Sequence, residues 1–308
     1  MKRKLAIFGI IIIFIAGLGV MSYPLVSSVI NNIDSRNHAE EYTKTTKQMS
    51  SKETLESFKQ AQEYNNSLTN NVIITDPFDE EAYQKIGANY EEALNVDGGG
   101  LIGYIDIPKI NVYLPIYHGT TDMILAKGAG HLQNTSLPVG GESTHSVISA
   151  HTAYPGETFF DYLTDMENGD EFYVHVLDRV LKYEVDSIKV VLPENTNDLR
   201  VVKGEDYVTL LTCTPYSINT HRLLVRGKRV DYDDSKYITT GASAASFGDD
   251  GIFFLGYKIP YWVAALIIVG FVALVVFIVI LRLKRSKKKK RCSDNDKDKG
   301  ITETQDGD

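Results

Sequence analysis

A lone thiol lies between an apolar segment and a proline-containing loop in the stretch from Thr209 to Tyr216. An apolar strand pattern ends at Cys213, and a second strand pattern opens at Arg222 after a short loop. Strands joined by a short loop are most simply antiparallel neighbours, so we expect Cys213 and Arg222 to face each other at the base of that loop. Catalytic groups concentrate on loops that a rigid scaffold positions. The pattern therefore favours a nucleophilic cysteine beside a fixed positive charge.

The protein has only two cysteines, Cys213 and Cys292. The membrane topology predicted below places a bilayer between them, so they are not expected to form a disulfide within one chain. An unpaired thiol in an exported domain is a candidate reactive group. The alternative is an inert cysteine that packs in the core as a small apolar side chain.

A nucleophilic thiol needs a partner that manages its proton. With a pKa of about 8.5 a thiol is mostly protonated at neutral pH, whereas a nearby imidazolium stabilises the thiolate and later protonates a leaving amine. His151 is the best candidate among seven histidines, because it ends a strand pattern at residues 146–150 and precedes a Pro-Gly loop. His221 would point to the opposite face of its strand. Pattern alone leaves three others undecided, namely His118, His131 and His145.

Attack on an amide creates an oxyanion that needs a fixed donor. Arg222 offers a permanent charge and several N–H groups for this purpose. Removal of one such donor typically lowers turnover by about 100- to 1000-fold. The predicted catalytic set is therefore Cys213 as nucleophile, His151 as proton partner and Arg222 as electrostatic clamp.

Two long uncharged apolar runs lie near the ends of the chain, at residues 5–30 and 259–281. Each reaches the roughly 20 residues that a helix needs to cross a bilayer. Basic residues flank both runs, at 2–4 and 282–291, which predicts that both termini are cytoplasmic and the middle is extracellular. A cleaved signal peptide is the alternative for the first run, and it also exports the middle.

The exported part of the chain is acidic, because the formal net charge is −8 although both termini are basic. An acidic domain is a poor nucleic-acid binder, so no nucleic-acid partner is expected. The basic tail acts as a topology signal that contacts anionic lipid. No group of His, Asp and Glu has the spacing of metal ligands, so we predict neither a metal requirement nor another cofactor.

Short strand patterns alternate with turns from residue 101 to residue 232, which predicts a mainly β fold closed into a small barrel. A polar helix or helix pair over 35–66 precedes it, followed by a break near residue 77, a helix over 79–94 and a glycine hinge at 97–100. The predicted organisation is a cytoplasmic N-terminus (1–4), an apolar span (5–30), an extracellular helical segment (31–97), the barrel (98–232), a linker (233–258), a second span (259–281) and a cytoplasmic tail (282–308).

The residues around the thiol resemble the sortases, specifically the class C group that assembles pilins. The blocks Thr212–Tyr216 and Asn219–Gly227 are similar to the family signature around its cysteine and arginine, and His145–His151 is similar to its histidine segment. The similarity spans about residues 98–231. The resemblance implies an eight-stranded sortase barrel. It also implies a catalytic set with supporting or substrate-binding threonines, namely Cys213, His151, Arg222, Thr212 and Thr214.

The resemblance also implies a reaction and its partners. The thiolate would attack the Thr–Gly bond of an LPXTG-like sorting signal, form a thioester, and pass the acyl group to a pilin lysine amine. Pilin subunits would thereby polymerise on the surface of a Gram-positive bacterium. One alternative is a sortase that anchors surface proteins to cell-wall peptide. Another, of a different class, is a non-catalytic barrel that scaffolds or binds at the surface.

The tripeptide Asp76-Pro77-Phe78 resembles the lid motif of class C sortases, which has Asp-Pro followed by an aromatic residue. The resemblance implies that Asp76 pairs with Arg222 and that Phe78 packs over Cys213. The alternative is an ordinary turn before a helix, with the aspartate as a local cap.

The segment Ala150–Tyr154 departs from the family pattern, since relatives often have Gly-His-Arg-Gly where this chain has Ala-His-Thr-Ala. The loop after His151 is therefore expected to make different contacts, which affects substrate preference rather than chemistry.

Overall fold

The computed structural model describes residues 37–68, 74–78, 89–155, 157–232, 251–254 and 257–260, with scattered positions between 12 and 35 and between 262 and 270. The chain divides into two compact units, residues 1–243 and 244–308. In the described part of the second unit, Gly251–Phe254 and Tyr257–Pro260 pair as an antiparallel hairpin. The hairpin falls within and just beyond the stretch that the sequence predicts as a linker.

Eight strands of the first unit form a closed barrel. Their bounds are β1 Leu101–Ile107, β2 Val112–His118, β3 Ala129–His131, β4 Thr144–Ser149, β5 Glu171–Val176, β6 Arg179–Val191, β7 Asp206–Thr214 and β8 His221–Val230. The order around the barrel is β1-β2-β3-β4-β7-β8-β6-β5, and β5 pairs back to β1. The β2–β3 and β4–β7 pairs are parallel, and the remaining pairs are antiparallel.

The closed barrel confirms the mainly β fold predicted for this part of the chain. The eighth strand, β3, has only three residues, too few to show alternation. The β5–β6 turn is Leu177-Asp178, with Leu177 at φ 54°. The short helices are α2 at Asp122–Leu125 and 3₁₀ turns at Pro108–Ile110, Leu163–Asp165 and Asn197–Leu199.

The barrel interior is filled by aromatic and branched side chains. Phe172 and Tyr183 are fully buried and stack with their ring centroids 5.5 Å apart. A Cβ atom at Gly227 would lie 2.4 Å from Cε1 of Phe172, so only glycine allows β8 to pass this ring. The packing fixes the register of β8, and with it the position of the residue at the start of that strand.

The polar N-terminal segment forms helical residues 37–48 and helix α1, Ser51–Ser67. A capping box starts α1, in which Ser50 and Glu53 satisfy each other's backbone N–H groups. Asn65 lies in the last turn of α1. Its side-chain amide donates to the Leu137 carbonyl at 3.1 Å and accepts from the Leu137 N–H at 2.7 Å. This pair of hydrogen bonds holds the end of α1 on the barrel.

The segment before the barrel is fixed by two side chains. The Tyr90 hydroxyl donates to the His131 carbonyl at 3.0 Å, and the ring of His118 lies between the carbonyls of Ala93 (2.8 Å) and Gly100 (3.0 Å). In the predicted helix 79–94, residues 79–88 lie outside the described residues, while 89–94 form turns rather than helix.

The predicted membrane spans fall largely outside the described residues. The described positions between 12 and 23 and between 262 and 270 are helical. Over the portion of the chain that the structure describes, no helix has the length and apolar character needed to cross a membrane. Residues 1–4 and 282–308 also lie outside the described residues.

Replacing Asn65 with Ala removes both hydrogen bonds and leaves the Leu137 backbone groups without that partner. We expect a loss of about 1–3 kcal/mol in the free energy of unfolding, measured by urea denaturation followed by circular dichroism. Asn66→Ala is the matched control, because Asn66 is an exposed asparagine one position along the same helix. Equal stability of the two variants would contradict the role of Asn65.

Candidate active site

Strands β7 and β8 bring the thiol and the guanidinium together. Cys213 and Arg222 are directly opposite in the antiparallel register, as the sequence predicts, so their side chains share one face. Both residues are buried, with 8% and 9% of their surfaces exposed, and Cys213 is a free cysteine. Thr214, the next residue along β7, pairs with His221.

His151 reaches the same place from the neighbouring strand. In the parallel β4–β7 ladder Ser149 is opposite Leu211, so the register places residue 151 level with residue 213. Adjacent strands lie about 4.8 Å apart. The Thr212 hydroxyl donates to the Ala150 carbonyl at 2.7 Å and ties the two strand ends together. Thr212 therefore links the ends of β7 and β4, and its supporting role in the site stays a prediction.

The three histidines that the sequence left undecided hold structural positions. His118 bridges two carbonyls near the glycine hinge, as described above. His131 is fully buried against the Tyr90 hydroxyl at 2.9 Å, and His145 lies between the Arg200 carbonyl and the Thr209 hydroxyl. Burial lowers the pKa of His131 to about 3 and of His145 to about 4. Neither is poised to exchange a proton near neutral pH.

The Asp76 carboxylate forms a salt bridge with the guanidinium of Arg222. Asp76 Oδ1 accepts from Nε at 2.8 Å and Oδ2 accepts from Nη2 at 2.5 Å. The third nitrogen, Nη1, donates to the carbonyls of Asn219 and His221 at 3.0 and 3.1 Å. The paired side chains are only 10% and 12% exposed. Every nitrogen of the guanidinium therefore has a partner before any substrate is present.

The Phe78 ring lies against the side chains of His151 and Arg222, the two predicted catalytic partners of Cys213. Its ring centroid is 5.5 Å from that of His151 and 5.1 Å from Cζ of Arg222. Pro77 is buried. Phe78 also packs on an apolar cluster outside the barrel interior, formed by Leu132, Val147, Leu199, Leu211 and Leu224. Packing of Phe78 directly over the sulfur stays a prediction.

The electrostatics of this arrangement keep the thiol protonated. The pKa of Cys213 is raised to about 11. Burial is the largest cause, the Arg222 charge opposes it, and the Asp76 carboxylate acts in the same direction as burial. Burial also lowers the pKa of His151, an effect that the Asp122 carboxylate opposes. A protonated thiol beside a neutral imidazole is not a nucleophile.

The loop after His151 is held by a residue that sequence reasoning missed. The Asp161 carboxylate accepts from the backbone N–H groups of Ala153 (2.9 Å) and Phe159 (3.0 Å). Tyr154 stacks on the His151 ring at 5.1 Å with an interplanar angle of 16°. The departure at Ala150–Tyr154 was the one sequence signal that pointed to this loop.

A search of the described residues finds no group of three or more His, Cys, Asp or Glu side chains that could hold a metal ion. The absence of a metal requirement stays a prediction. The site as described consists of one thiol, one imidazole and one guanidinium.

A closed barrel that carries these three groups on adjacent strand ends defines a cysteine acyl-transfer enzyme by its chemistry. Residues 105–230 match the family model "Sortase domain". The chain is 30% identical over 146 residues to Sortase D of Bacillus subtilis, covering 46% of this chain and 71% of that protein. It is 28% identical to Sortase A of Streptococcus agalactiae, covering 52% of that protein.

Solved structures agree with the family match. Sortase C-1 of Streptococcus pneumoniae is 48% identical with a TM-score of 0.60, and the alignment covers 64% of this chain and 100% of that one. A pilus-related Sortase C of Group B Streptococcus is 45% identical with a TM-score of 0.58, over 63% of this chain and 97% of that one. The chain belongs to the sortase family of cysteine transpeptidases, which confirms the resemblance seen in the sequence.

Opening the segment Asp76–Phe78 is expected to activate the thiol. In Asp76→Asn/Phe78→Ala the carboxylate is neutralised and the ring predicted to cover the sulfur is removed, so the electrostatic and the burial contributions to the high Cys213 pKa should both fall. We expect labelling of Cys213 by iodoacetamide at pH 7.5 to accelerate by about 10-fold or more, since each pKa unit changes the thiolate fraction tenfold. The pH midpoint of labelling should fall from near 11 toward the ordinary thiol value.

The labelling is measured by mass spectrometry of the peptide that contains Cys213, which separates it from Cys292. Thr75→Ala, a change in the same segment that spares the ion pair and the ring, is the control. If the double variant and wild type share one rate and one midpoint, Asp76 and Phe78 do not cover the site.

Proposed function

We propose that this chain is a class C sortase that polymerises pilins through a thioester on Cys213. The observation that carries the proposal is the carboxylate of Asp76 on Arg222, beside the thiol. It supports the idea that the guanidinium can hold an anionic oxygen next to the sulfur, which is the requirement for the tetrahedral oxyanion of acyl transfer. The neighbouring Sortase C structures, one described as pilus-related, support the pilin substrate.

Acylation begins once Asp76 leaves and a sorting signal enters. The Cys213 thiol passes its proton to the His151 imidazole, and the resulting thiolate attacks the carbonyl carbon of the Thr–Gly bond. The carbonyl oxygen takes the negative charge and accepts hydrogen bonds from N–H groups of Arg222. The C–N bond then breaks, and the imidazolium of His151 gives its proton to the leaving glycine amine. The product is a thioester between threonine and Cys213.

The acceptor step reverses these roles. A pilin lysine ammonium first releases one proton to solvent, its free amine attacks the thioester carbon, and neutral His151 takes a second proton from the attacking nitrogen. A second oxyanion forms at Arg222 and collapses, the C–S bond breaks, and the thiolate returns. The new bond is an isopeptide bond between two pilin subunits.

We also propose that the enzyme is held in the cell membrane by both apolar runs, with the barrel outside the cell. The runs have the length of a span and carry basic flanks on the side predicted to be cytoplasmic. Described helical positions within them expose large apolar side chains, for example Val20 at 77% and Trp262 at 64%. Pilin polymerisation at the cell surface requires the barrel to be on that side.

The thioester is tested directly with a sorting-signal peptide and mass spectrometry of the protein. We expect an acyl adduct on residue 213 in wild type and none in Cys213→Ala. Arg222→Lys should form the adduct about 100- to 1000-fold more slowly, because a single ammonium cannot reproduce the fork.

Arg226→Lys is the matched control for this experiment. Arg226 lies on the same strand and pairs with Asp186 through Nε and Nη2, away from the thiol. No adduct in wild type, or an equal adduct on another residue in Cys213→Ala, would favour the non-catalytic barrel. Equal rates for the two arginine variants would remove Arg222 from the mechanism.

The acceptor is tested by mixing the enzyme with a purified pilin that carries a sorting signal. A polymerase gives ladders of covalent pilin multimers on a denaturing gel, and replacing the acceptor lysine of the pilin abolishes them. A wall-anchoring sortase instead gives a single product when cell-wall peptide is supplied and no ladder with pilin alone. The contact between Asp76 and Arg222, in a motif that resembles the class C lid, favours the ladder.

A further inference from the structure

We propose that Tyr154 and Asp161 are positioning residues that hold the His151 imidazole in its working orientation after the Asp76–Phe78 segment has left the site. The proposal rests on the proposed function for the role of His151 as proton partner. It deepens that function by assigning two side chains that act on the base and not on the substrate.

Two aromatic side chains contact the imidazole, and they differ in where they come from. Phe78 lies at 5.5 Å with an interplanar angle of 37°, and it belongs to the segment that must move before substrate can reach Arg222. Tyr154 lies at 5.1 Å, nearly parallel at 16°, and it belongs to the loop that begins at His151 itself. Departure of Phe78 therefore removes one ring contact and leaves the other.

The loop that carries Tyr154 is built around one carboxylate. Asp161 accepts the N–H groups on both sides of the tyrosine, from Ala153 and from Phe159. The Phe159 ring in turn packs on Tyr154 with centroids 5.9 Å apart. The Phe160 N–H donates to the His151 carbonyl at 3.0 Å, so the loop closes back onto the base.

The carboxylate compensates for a strained backbone. Ala153 has φ 59°, in the left-handed region, which is unfavourable for a residue with a side chain. Glycine adopts that conformation freely, whereas alanine does not. In this chain the charge-assisted hydrogen bond from Ala153 to Asp161 stabilises the same turn, and the turn directs Tyr154 onto the imidazole.

A base that transfers protons in both half-reactions must keep its distance to the sulfur and to the amine. Misplacement of a catalytic group by about 1 Å can lower the rate about 100-fold. Two strand ends fix the backbone at residue 151, but the ring can still rotate about its side-chain bonds. Tyr154 restricts that rotation, and Asp161 restricts Tyr154.

The experiment uses the full chain with a sorting-signal peptide and measures kcat and KM for thioester formation. Tyr154→Ala and Asp161→Asn are expected to lower kcat by about 10- to 100-fold with little change in KM, since neither residue is assigned to substrate binding. Tyr154→Phe keeps the ring and should retain the wild-type rate. Asp165→Asn, an exposed aspartate in the same region, is the matched control for Asp161.

A second readout follows the base itself. The His151 ring is titrated by NMR, and because burial lowers its pKa, loss of the Tyr154 ring should raise the midpoint toward the ordinary histidine value. Tyr154→Phe should leave the midpoint in place. If Asp161→Asn does not fold, as judged by circular dichroism, the comparison of Tyr154→Ala with Tyr154→Phe still decides the question.

The outcomes separate this proposal from the proposed function. A wild-type kcat together with an unshifted His151 midpoint in Tyr154→Ala overturns the positioning role, even when wild type forms the thioester. Absence of a thioester in wild type and in the open Asp76→Asn/Phe78→Ala variant overturns the proposed function instead, and the His151 titration then still reports whether Tyr154 supports the ring. A higher KM with unchanged kcat would make Tyr154 a substrate contact and also contradict the proposal.

Discussion

The guanidinium of Arg222 constrains everything around it, because a desolvated permanent charge must always have an anionic or carbonyl partner. In the structure its Nη1 donates to two backbone carbonyls, while Nε and Nη2 donate to Asp76. When Asp76 leaves, those two donors need another oxygen. The oxyanion of acyl transfer is an oxygen of the required charge in the required place. In the proposed mechanism the same guanidinium therefore binds the Asp76 carboxylate in the closed site and the oxyanion during catalysis.

The barrel fixes where the Arg222 guanidinium lies relative to the Cys213 sulfur and the His151 imidazole. Two different ladders meet at β7: the antiparallel pairing with β8 sets Arg222 opposite Cys213, and the parallel pairing with β4 brings up His151. A slip of one residue in either ladder would turn a side chain to the other face. Closure of the sheet and the tight passage of Gly227 over Phe172 prevent such slips.

Sequence reasoning succeeded where the deciding interactions are local. Cys213 and Arg222 are joined by one short loop, so their pairing follows from chain connectivity. The pairing of β4 with β7 joins residues about 60 positions apart, and nothing in either strand pattern specifies it. For the same reason pattern left His131 and His145 undecided, since only tertiary burial and carbonyl partners give them structural roles. Asp161 escaped notice because its two hydrogen bonds depend on a loop conformation that has no periodicity.

The closed site also shows that access and ionisation cannot change separately. Burial raises the pKa of Cys213 to about 11 against the lowering effect of the Arg222 charge, and the Asp76 carboxylate acts in the same direction as burial. In the proposed mechanism, the movement of Asp76–Phe78 that admits substrate also removes the carboxylate, hydrates the sulfur and frees two donors of Arg222. A segment that only buried the sulfur would already disfavour the thiolate, and the Asp76 carboxylate adds an electrostatic contribution in the same direction. A lid that carries the counter-ion of the clamp keeps the sulfur protonated until an acyl donor can take its place.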